Sequence, residues 1–239
     1  MQNIVPLHGF GGVPYSAVRR AAPRNLLDNS DFTNLVAQAD IGGSHGTTPY
    51  AADRWILDSG TVSYEAGVGL TLNGTIRQKL EFPPTGDTSA FVGTASGEAS
   101  IVYADGEITI TSSGGVLKWA ALYAGTYSAA TMPEYQPKGY GAELAECMRY
   151  FRIVRNENGY VSSSNAYIFI QGNMRVMPTA TVIISGSIRA NGKDVVVDSV
   201  SSVQRFLPDS IRLTMPGTFS ASNHSACLFN ATIHLSADL

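Results

Sequence analysis

Charged side chains are scarce in this sequence, which carries 16 Lys and Arg against 19 Asp and Glu in 239 residues. They make up 15 % of the chain, well below the ~25 % usual in globular proteins. The formal net charge of −3 gives no electrostatic basis for a nucleic-acid partner, because such binding needs clustered positive charge to neutralise phosphates. Hydrophobic residues, at 44 %, are frequent enough to build a core, so global disorder is excluded.

Cysteine and long apolar runs are also scarce. The two cysteines, Cys147 and Cys227, form no disulfide framework in a chain of this size, and we expect them to pack as small hydrophobic side chains. No apolar stretch approaches the ~20 residues of a membrane-spanning helix, so membrane insertion is not expected. The beginning of the chain, "MQNIVPLHGFGG", lacks the basic and apolar segments of a signal peptide. We therefore expect a protein that stays in the cytosol or leaves it by a route other than secretion.

Helical periodicity is confined to one stretch, "YGAELAECMRYFRIV", at residues 140–154. Four apolar side chains recur there at helical spacing and predict one buried stripe: Leu144, Cys147, Met148 and Phe151. Glu143 and Glu146 fall on the other face, which we expect to be solvated. A helix this short is marginal alone. It is therefore expected to lie on a hydrophobic surface and to connect two β-modules.

The rest of the chain alternates apolar and polar residues over short runs, which predicts an all-β fold of two antiparallel β-sandwich domains. Hairpin turns are predicted at Asn73-Gly74, Asp105-Gly106 and Asn191-Gly192. Residues 1–24, with three prolines and three glycines, predict an extended arm. Residues 25–135 form the first module, 136–152 a Pro/Gly linker with the short helix, and 153–239 the C-terminal β-sandwich.

Catalytic and metal motifs are weak. "GGSHG", residues 42–46, matches the nucleophile motif G-x-S-x-G at Ser44, but no strand-turn-helix pattern surrounds it. A Gly-rich surface loop is the favoured interpretation, and we expect no catalytic residue and no enzyme activity. The four histidines have no metal-binding spacing. Asp28 and Asp31, in "NLLDNSDF", are weak candidates for calcium ligands, with an Asx-turn as the simpler explanation. No other cofactor is expected.

A binding site is suggested by the polar stretch "RNENGYVSSSN", residues 155–165. Aromatic faces beside planar polar side chains recognise sugars, and surface loops are frequent places for such sites. The candidates for glycan contact are Asn158, Tyr160, Asn165 and Tyr167. An ordinary polar loop is the competing interpretation.

Several segments, in order along residues 25–183, resemble a module of tailed-bacteriophage fibre and receptor-binding proteins. They are "NLLDNSDF" (25–32), "ADRWIL" (52–57), "IRQKLEF" (76–82), "LKWAALYAG" (117–125), "ELAECMRYF" (143–151) and "GNMRVMPTATV" (172–182). That module is similar to carbohydrate-binding jelly rolls. The chain departs from the pattern at Thr33, where relatives often have an acidic residue, and at Met148, where Gln is usual.

The resemblance implies jelly-roll-like sandwiches in a non-enzymatic virion surface protein of the tail-fibre type. It implies a homo-oligomer, as a trimer, that is synthesised in the bacterial host cytoplasm and becomes part of the virion. Residues 1–24 would bind other virion proteins, and the distal domain would bind host surface polysaccharide. The alternatives are a head-fibre, collar or capsid-decoration protein with a structural role, and a polysaccharide depolymerase.

Overall fold

The computed structural model describes residues 23–45, 48–162, 164–172, 174–190, 193–207, 210–219 and 224–237. The predicted arm thus lies outside the described residues except for Pro23 and Arg24. Within the described ranges the chain is built mainly of β-strands with one α-helix, and the strand pairs are antiparallel. The predicted all-β class is therefore confirmed. No helix in these ranges combines the length and apolar character needed to cross a membrane.

The first half of the chain forms one seven-stranded sheet. Its strands are β1 (Ser44–His45), β2 (Thr48–Ala52), β3 (Trp55–Glu65), β4 (Gly69–Lys79), β5 (Thr88–Ser96), β6 (Ala99–Ala104) and β7 (Glu107–Ala124). They follow the order β1-β2-β3-β4-β7-β5, and β6 also pairs with β7. The long β7 organises this sheet, because it pairs with β4 along one side and with both β6 and β5 along the other.

The core of this half is filled by alternate side chains of the strands and by apolar residues of the segment that precedes β1. Leu27 and Phe32 from that segment are fully buried, and the Phe32 ring lies 5.3 Å from the Trp55 ring. On β7, Ile108 and Ile110 are buried two residues apart, as expected where one face of a strand meets the core. The apolar segment therefore serves as a cover for the sheet.

One of the predicted hairpins is confirmed and one is wrong. Asp105 and Gly106 connect β6 to β7 with φ values of +52° and +80°, as a two-residue hairpin turn with two left-handed residues requires. Asn73-Gly74 lies instead in the middle of β4, where the register against β7 shifts. Gly74 faces Gly60 of β3. The absence of side chains there allows the two backbones to approach closely. The Asn191-Gly192 turn lies outside the described residues, but Ala190 and Lys193 on either side of it are paired.

The helix is shorter than predicted. Helix α1 spans Tyr140–Cys147, and residues Phe151–Val154 form strand β8. Two residues of the predicted apolar stripe are buried, Cys147 and Phe151, and the other two are only partly buried. Glu143 and Tyr150, which lie outside that stripe, are also buried. The expectation that Glu143 is solvated is wrong, because its carboxylate meets partners of the first module. Cys147 is free and buried, and Cys227 is free and partly exposed.

Contacts attach α1 and its flanks to the first sheet. Lys138 Nζ lies 3.2 Å from an Asp28 carboxylate oxygen, and Arg149 Nη2 lies 2.9 Å from Glu81 Oε2. The guanidinium carbon of Arg54 lies 3.6 Å from the centroid of the Tyr150 ring, a cation–π distance. The helix is therefore packed on the first sheet, and the chain enters the second half directly after it.

The second half is a sandwich of two sheets. Its strands are β8 (Phe151–Val154), β9 (Asn158–Val161), β10 (Asn165–Gln171), β11 (Thr179–Ile184), β12 (Gly186–Ala190), β13 (Lys193–Val197), β14 (Ser202–Leu207), β15 (Ser210–Pro216), β16 (His224–Phe229) and β17 (Thr232–Ser236). The seven-stranded sheet has the order β13-β12-β16-β9-β10-β15-β14, and the three-stranded sheet has the order β11-β17-β8. Side chains from both sheets share one core, including Ile168, Leu213 and Ile233.

Candidate functional site

The candidate site is the outer face of the seven-stranded sheet in the second half. Along β10, Ala166, Ile168 and Ile170 are buried in the core, so the intervening Tyr167 and Phe169 project from the opposite face. Both are only partly buried. The sheet thus carries bulky aromatic side chains on the side that its own core does not cover.

Three aromatic rings meet on this face. Tyr160 of β9 is the direct cross-strand neighbour of Tyr167 of β10, and their ring centroids lie 4.8 Å apart with 32° between the planes. The Tyr160 ring also stacks near Phe169, at 5.7 Å and 25°. These separations fall in the range of favourable aromatic pairs. We call Tyr160, Tyr167 and Phe169 the aromatic face.

Polar side chains border the aromatic face. The guanidinium carbon of Arg212, on β15, lies 5.2 Å from the centroid of Tyr167. The Arg212 guanidinium also donates to the amide oxygen of Gln204 on β14. Towards the other edge of the sheet, Arg189 and Asp194 form a two-fold ion pair, with N–O distances of 2.8 and 2.9 Å. Planar hydrogen-bond donors that are held in place beside stacked aromatic rings can orient a bound ligand whose ring is polar but has one apolar side.

The structure brings the four predicted glycan contacts to this one face. Tyr160 and Tyr167 are neighbours, Asn158 lies two residues before Tyr160 on the same strand, and Asn165 lies two residues before Tyr167. Asn158 is exposed. Asn165 lies where the β9–β10 hairpin turns, with its N–H donating to Ser162 Oγ at 3.1 Å.

Sequence reasoning missed Phe169, Arg212 and Gln204. The alternation in "NAYIFIQ" places Phe169 on the same face as Tyr167, so that residue could have been found from the sequence. Arg212 and Gln204 lie on β15 and β14, and only the observed pairing brings them beside β10. No sequence signal indicated them.

The two calcium candidates have other partners. The Asp28 carboxylate lies between Lys138 Nζ, at 3.2 Å, and Arg54 Nε, at 3.4 Å. Asp31 Oδ1 accepts hydrogen bonds from the N–H of Thr33 at 3.1 Å and from its hydroxyl at 2.6 Å, which is the Asx-turn geometry. Among the described residues, no group of three or more His, Cys, Asp or Glu could hold a metal ion.

His45, in the motif "GGSHG", lies in a buried junction between the two halves of the chain. His45 Nε2 lies 3.3 Å from Asp53 Oδ1, and its ring is stacked between Tyr50 and Phe151 at centroid distances of 3.8 and 3.5 Å. His234 of β17 meets the Phe151 ring edge-on at 5.0 Å. The side chain of His45 thus packs inside this junction.

Comparison of the chain with protein-family models, with curated proteins and with solved structures gives no match in any of the three.

Proposed function

We propose that this chain is a non-enzymatic virion surface protein of a tailed bacteriophage that attaches to host cell-surface glycan through the aromatic face. The observation that carries the proposal is the stacked group of Tyr160, Tyr167 and Phe169 on the uncovered side of the sheet. One side of a pyranose ring is apolar and can lie on such rings, while its hydroxyls reach the bordering polar groups. Asn158, Asn165, Arg212 and Gln204 supply amide and guanidinium groups for this role.

The attachment to a phage particle rests on the resemblance of the segments named above, and several of these segments are in contact with one another. The Asp28 N–H donates to Gln78 Oε1 at 2.9 Å, and Gln78 Nε2 donates back to the Asp28 carbonyl at 2.8 Å. Trp55 Nε1 donates to the Asn29 carbonyl at 2.8 Å. Segments that resemble one module thus meet in one polar cluster, as parts of a single folding unit would.

A face of this kind binds a single sugar unit weakly, because it is open and leaves much of the ligand in water. We propose the homotrimer that the resemblance implies, which would carry three such faces. Linked sites raise the overall avidity by a factor of about 10²–10⁴ without new contacts. Residues 1–24 would attach the oligomer to other virion proteins.

Adsorption of the purified full-length chain to host cells, and to their isolated surface polysaccharide, tests the proposal. Saturable binding at micromolar concentration or below is expected, with no change in polysaccharide length. Absence of adsorption would contradict the attachment role, and a shortened product would favour a depolymerase. Imaging of labelled chain on the virion separates a tail position from the capsid position that a decoration protein would occupy.

A further inference from the structure

Three ionic side chains meet between the segment that precedes β1 and the stretch that leads into α1: Asp28, Lys138 and Glu143. Lys138 Nζ lies 3.2 Å from Asp28 Oδ1 and 3.7 Å from Glu143 Oε2. The three side chains are largely withdrawn from water, with exposed fractions of 18 %, 21 % and 4 % in that order. An amine is thus held against one carboxylate, with a second, buried carboxylate beside both.

Hydrogen bonds fix the positions of the two carboxyl groups. The Asp28 N–H donates to Gln78 Oε1 at 2.9 Å, and Gln78 Nε2 donates back to the Asp28 carbonyl at 2.8 Å. The Asn29 N–H donates to Glu143 Oε2 at 2.7 Å. Groups that are well oriented within one molecule react as if at a local concentration of roughly 10⁵–10⁸ M. Such a concentration favours the condensation of an amine with a carboxyl group, even in water.

Glu143 is placed to move a proton during this condensation. Burial raises the pKa of Glu143, and the charge of Asp28 raises it further, while the hydrogen bond from Asn29 and the charge of Lys138 oppose the rise. A carboxyl group with a raised pKa is a stronger base when ionised. It can therefore take a proton from the Lys138 nitrogen and pass it to a departing oxygen.

Arg54 places a positive charge at the other oxygen of Asp28. Its Nε lies 3.4 Å from Asp28 Oδ2, and the side chain is buried. The guanidinium is held by the Lys79 carbonyl, at 2.8 Å from Nη2, and by the ring of Tyr150. A fixed guanidinium in this position would stabilise the negative charge that develops on Oδ2 when a nitrogen adds to the carboxyl carbon.

We infer that the side chains of Lys138 and Asp28 become joined by an amide bond, with Glu143 as the proton-transfer group. The Lys138 ammonium first gives one proton to the Asp28 carboxylate, and Nζ then forms a bond to Asp28 Cγ. Glu143 takes a second proton from Nζ and delivers it to Oδ1. The Cγ–Oδ1 bond breaks, and Oδ1 leaves as water. One ammonium and one carboxylate become one neutral amide and one water molecule, so no further reactant is needed.

This bond would join two points of the chain that are 110 residues apart. All seven strands of the first sheet, β1 to β7, lie between those two points. Tension applied between residues 1–24 and the second half would then pass through the amide and not through the first sheet. The inference goes beyond the proposed attachment function and does not depend on it, because the bond is a property of the chain alone.

The mass of the intact full-length chain, purified in folded form and then denatured, tests the inference. We expect this mass to be lower than the mass calculated from the residues by that of one water molecule. Because trypsin cleaves only after a free lysine or arginine, it should leave Lys138 uncleaved. Residues 25–54 and 119–149 should then appear as one linked product.

Four substitutions make the test specific. Lys138→Arg keeps the positive charge but cannot form this amide, so it should retain the full mass, whereas Lys118→Arg, at an exposed lysine of β7, should lose water like wild type. Chain produced in unfolded form and then refolded allows the rate of water loss to be followed. Glu143→Gln should slow that loss about a hundredfold, and Glu146→Gln should leave the wild-type rate unchanged.

Full mass in the folded wild-type chain would overturn the inference, and so would a linked product that is joined at residues other than Asp28 and Lys138. An unchanged rate in Glu143→Gln would overturn the proton-transfer role of Glu143. Tandem mass spectrometry of the linked wild-type product locates the bond even if Lys138→Arg fails to fold. None of these measurements involves a glycan, so their failure is distinguishable from failure of the attachment function.

Discussion

The carboxylate of Glu143 in α1 accepts a 2.7 Å hydrogen bond from the backbone N–H of Asn29, 114 residues earlier in the chain. Both residues are buried, at 3 % and 1 % exposure. Burial raises the pKa of Glu143 above its ordinary value, while the bond from Asn29 and the charge of Lys138 oppose that rise. Glu143 is therefore a structural contact between the helix and the first module.

Removal of this contact should destabilise the protein. Glu143→Ala leaves the Asn29 N–H buried without an acceptor, and we expect the free energy of unfolding to fall by about 1–3 kcal/mol. Glu143→Gln keeps an acceptor oxygen and should cost less. Urea denaturation followed by circular dichroism measures both.

The matched control for this prediction is Glu146→Ala, one turn further along the helix. Glu146 is partly exposed and pairs with Arg149 at 3.2 Å, so its loss should change the free energy of unfolding by less than about 0.5 kcal/mol. Equal losses in the free energy of unfolding for Glu143→Ala and Glu146→Ala would contradict a specific stabilising contribution of the buried contact with Asn29.

Two glycines should respond in opposite directions to alanine. Gly74 has φ +142°, and a Cβ there would lie 2.1 Å from the Ser59 carbonyl oxygen, so Gly74→Ala forces β3 and β4 apart and should lower the melting temperature. Gly141 lies in α1 with nothing within 4 Å of its Cβ position. Gly141→Ala should raise stability by up to about 1 kcal/mol, because Ala favours helix. The melting temperatures of the two variants, measured by thermal unfolding, test both expectations. An unchanged melting temperature in Gly74→Ala would contradict the close approach of the two strands.

Asn73-Gly74 also shows where sequence reasoning fails. The dipeptide carries the same turn signal as Asp105-Gly106, yet it lies within an 11-residue strand. Such a dipeptide can form either a turn or part of a strand, and here its pairing with the strands β3 and β7 determines that it is part of a strand. The alternation of apolar residues predicted the all-β class because this pattern is present within each strand and does not depend on which strands pair. The burial of Glu143 could not be predicted, since its partner Asn29 is distant in sequence.

Like the fold, the candidate site could be predicted from the sequence only in part. Tyr160 and Tyr167 follow from a polar stretch with aromatic residues, and their contact follows from a hairpin between β9 and β10. Arg212 comes from a strand about 45 residues later, and its place beside Tyr167 depends on the order of strands in the sheet. The order of strands in a sheet is a property of the whole fold and cannot be read from one segment of the sequence.

Acid should weaken the junction between the two halves. Burial lowers the pKa of His234 below its ordinary value, and the charges of His45 and Arg155 lower it further, against a hydrogen bond that His234 donates to the backbone of Ser44 and the charge of Asp53. The unfolded chain, with an ordinary histidine pKa of about 6.5, then binds this proton more readily than the folded chain. The contribution of His234 to stability is therefore complete above about pH 6.5 and is lost as the pH falls towards the lower folded-state pKa.

Urea denaturation at about pH 7.5 and about pH 5.5 measures this dependence. The wild-type chain should lose stability at the lower pH, and His234→Asn should lose less, because Asn does not titrate. An identical pH dependence in the two proteins would contradict the role given to His234.

The most direct test of the account is the affinity of the Tyr160→Ala chain for host surface polysaccharide, compared with that of Tyr140→Ala. Tyr140 is a tyrosine at the start of α1, 47 % exposed and away from the aromatic face. We expect Tyr160→Ala to weaken binding about tenfold or more, which corresponds to about 1.4 kcal/mol, and Tyr140→Ala to bind like wild type. Circular dichroism verifies that both variants are folded. Wild-type affinity in a folded Tyr160→Ala chain would contradict the claim that this face binds the glycan.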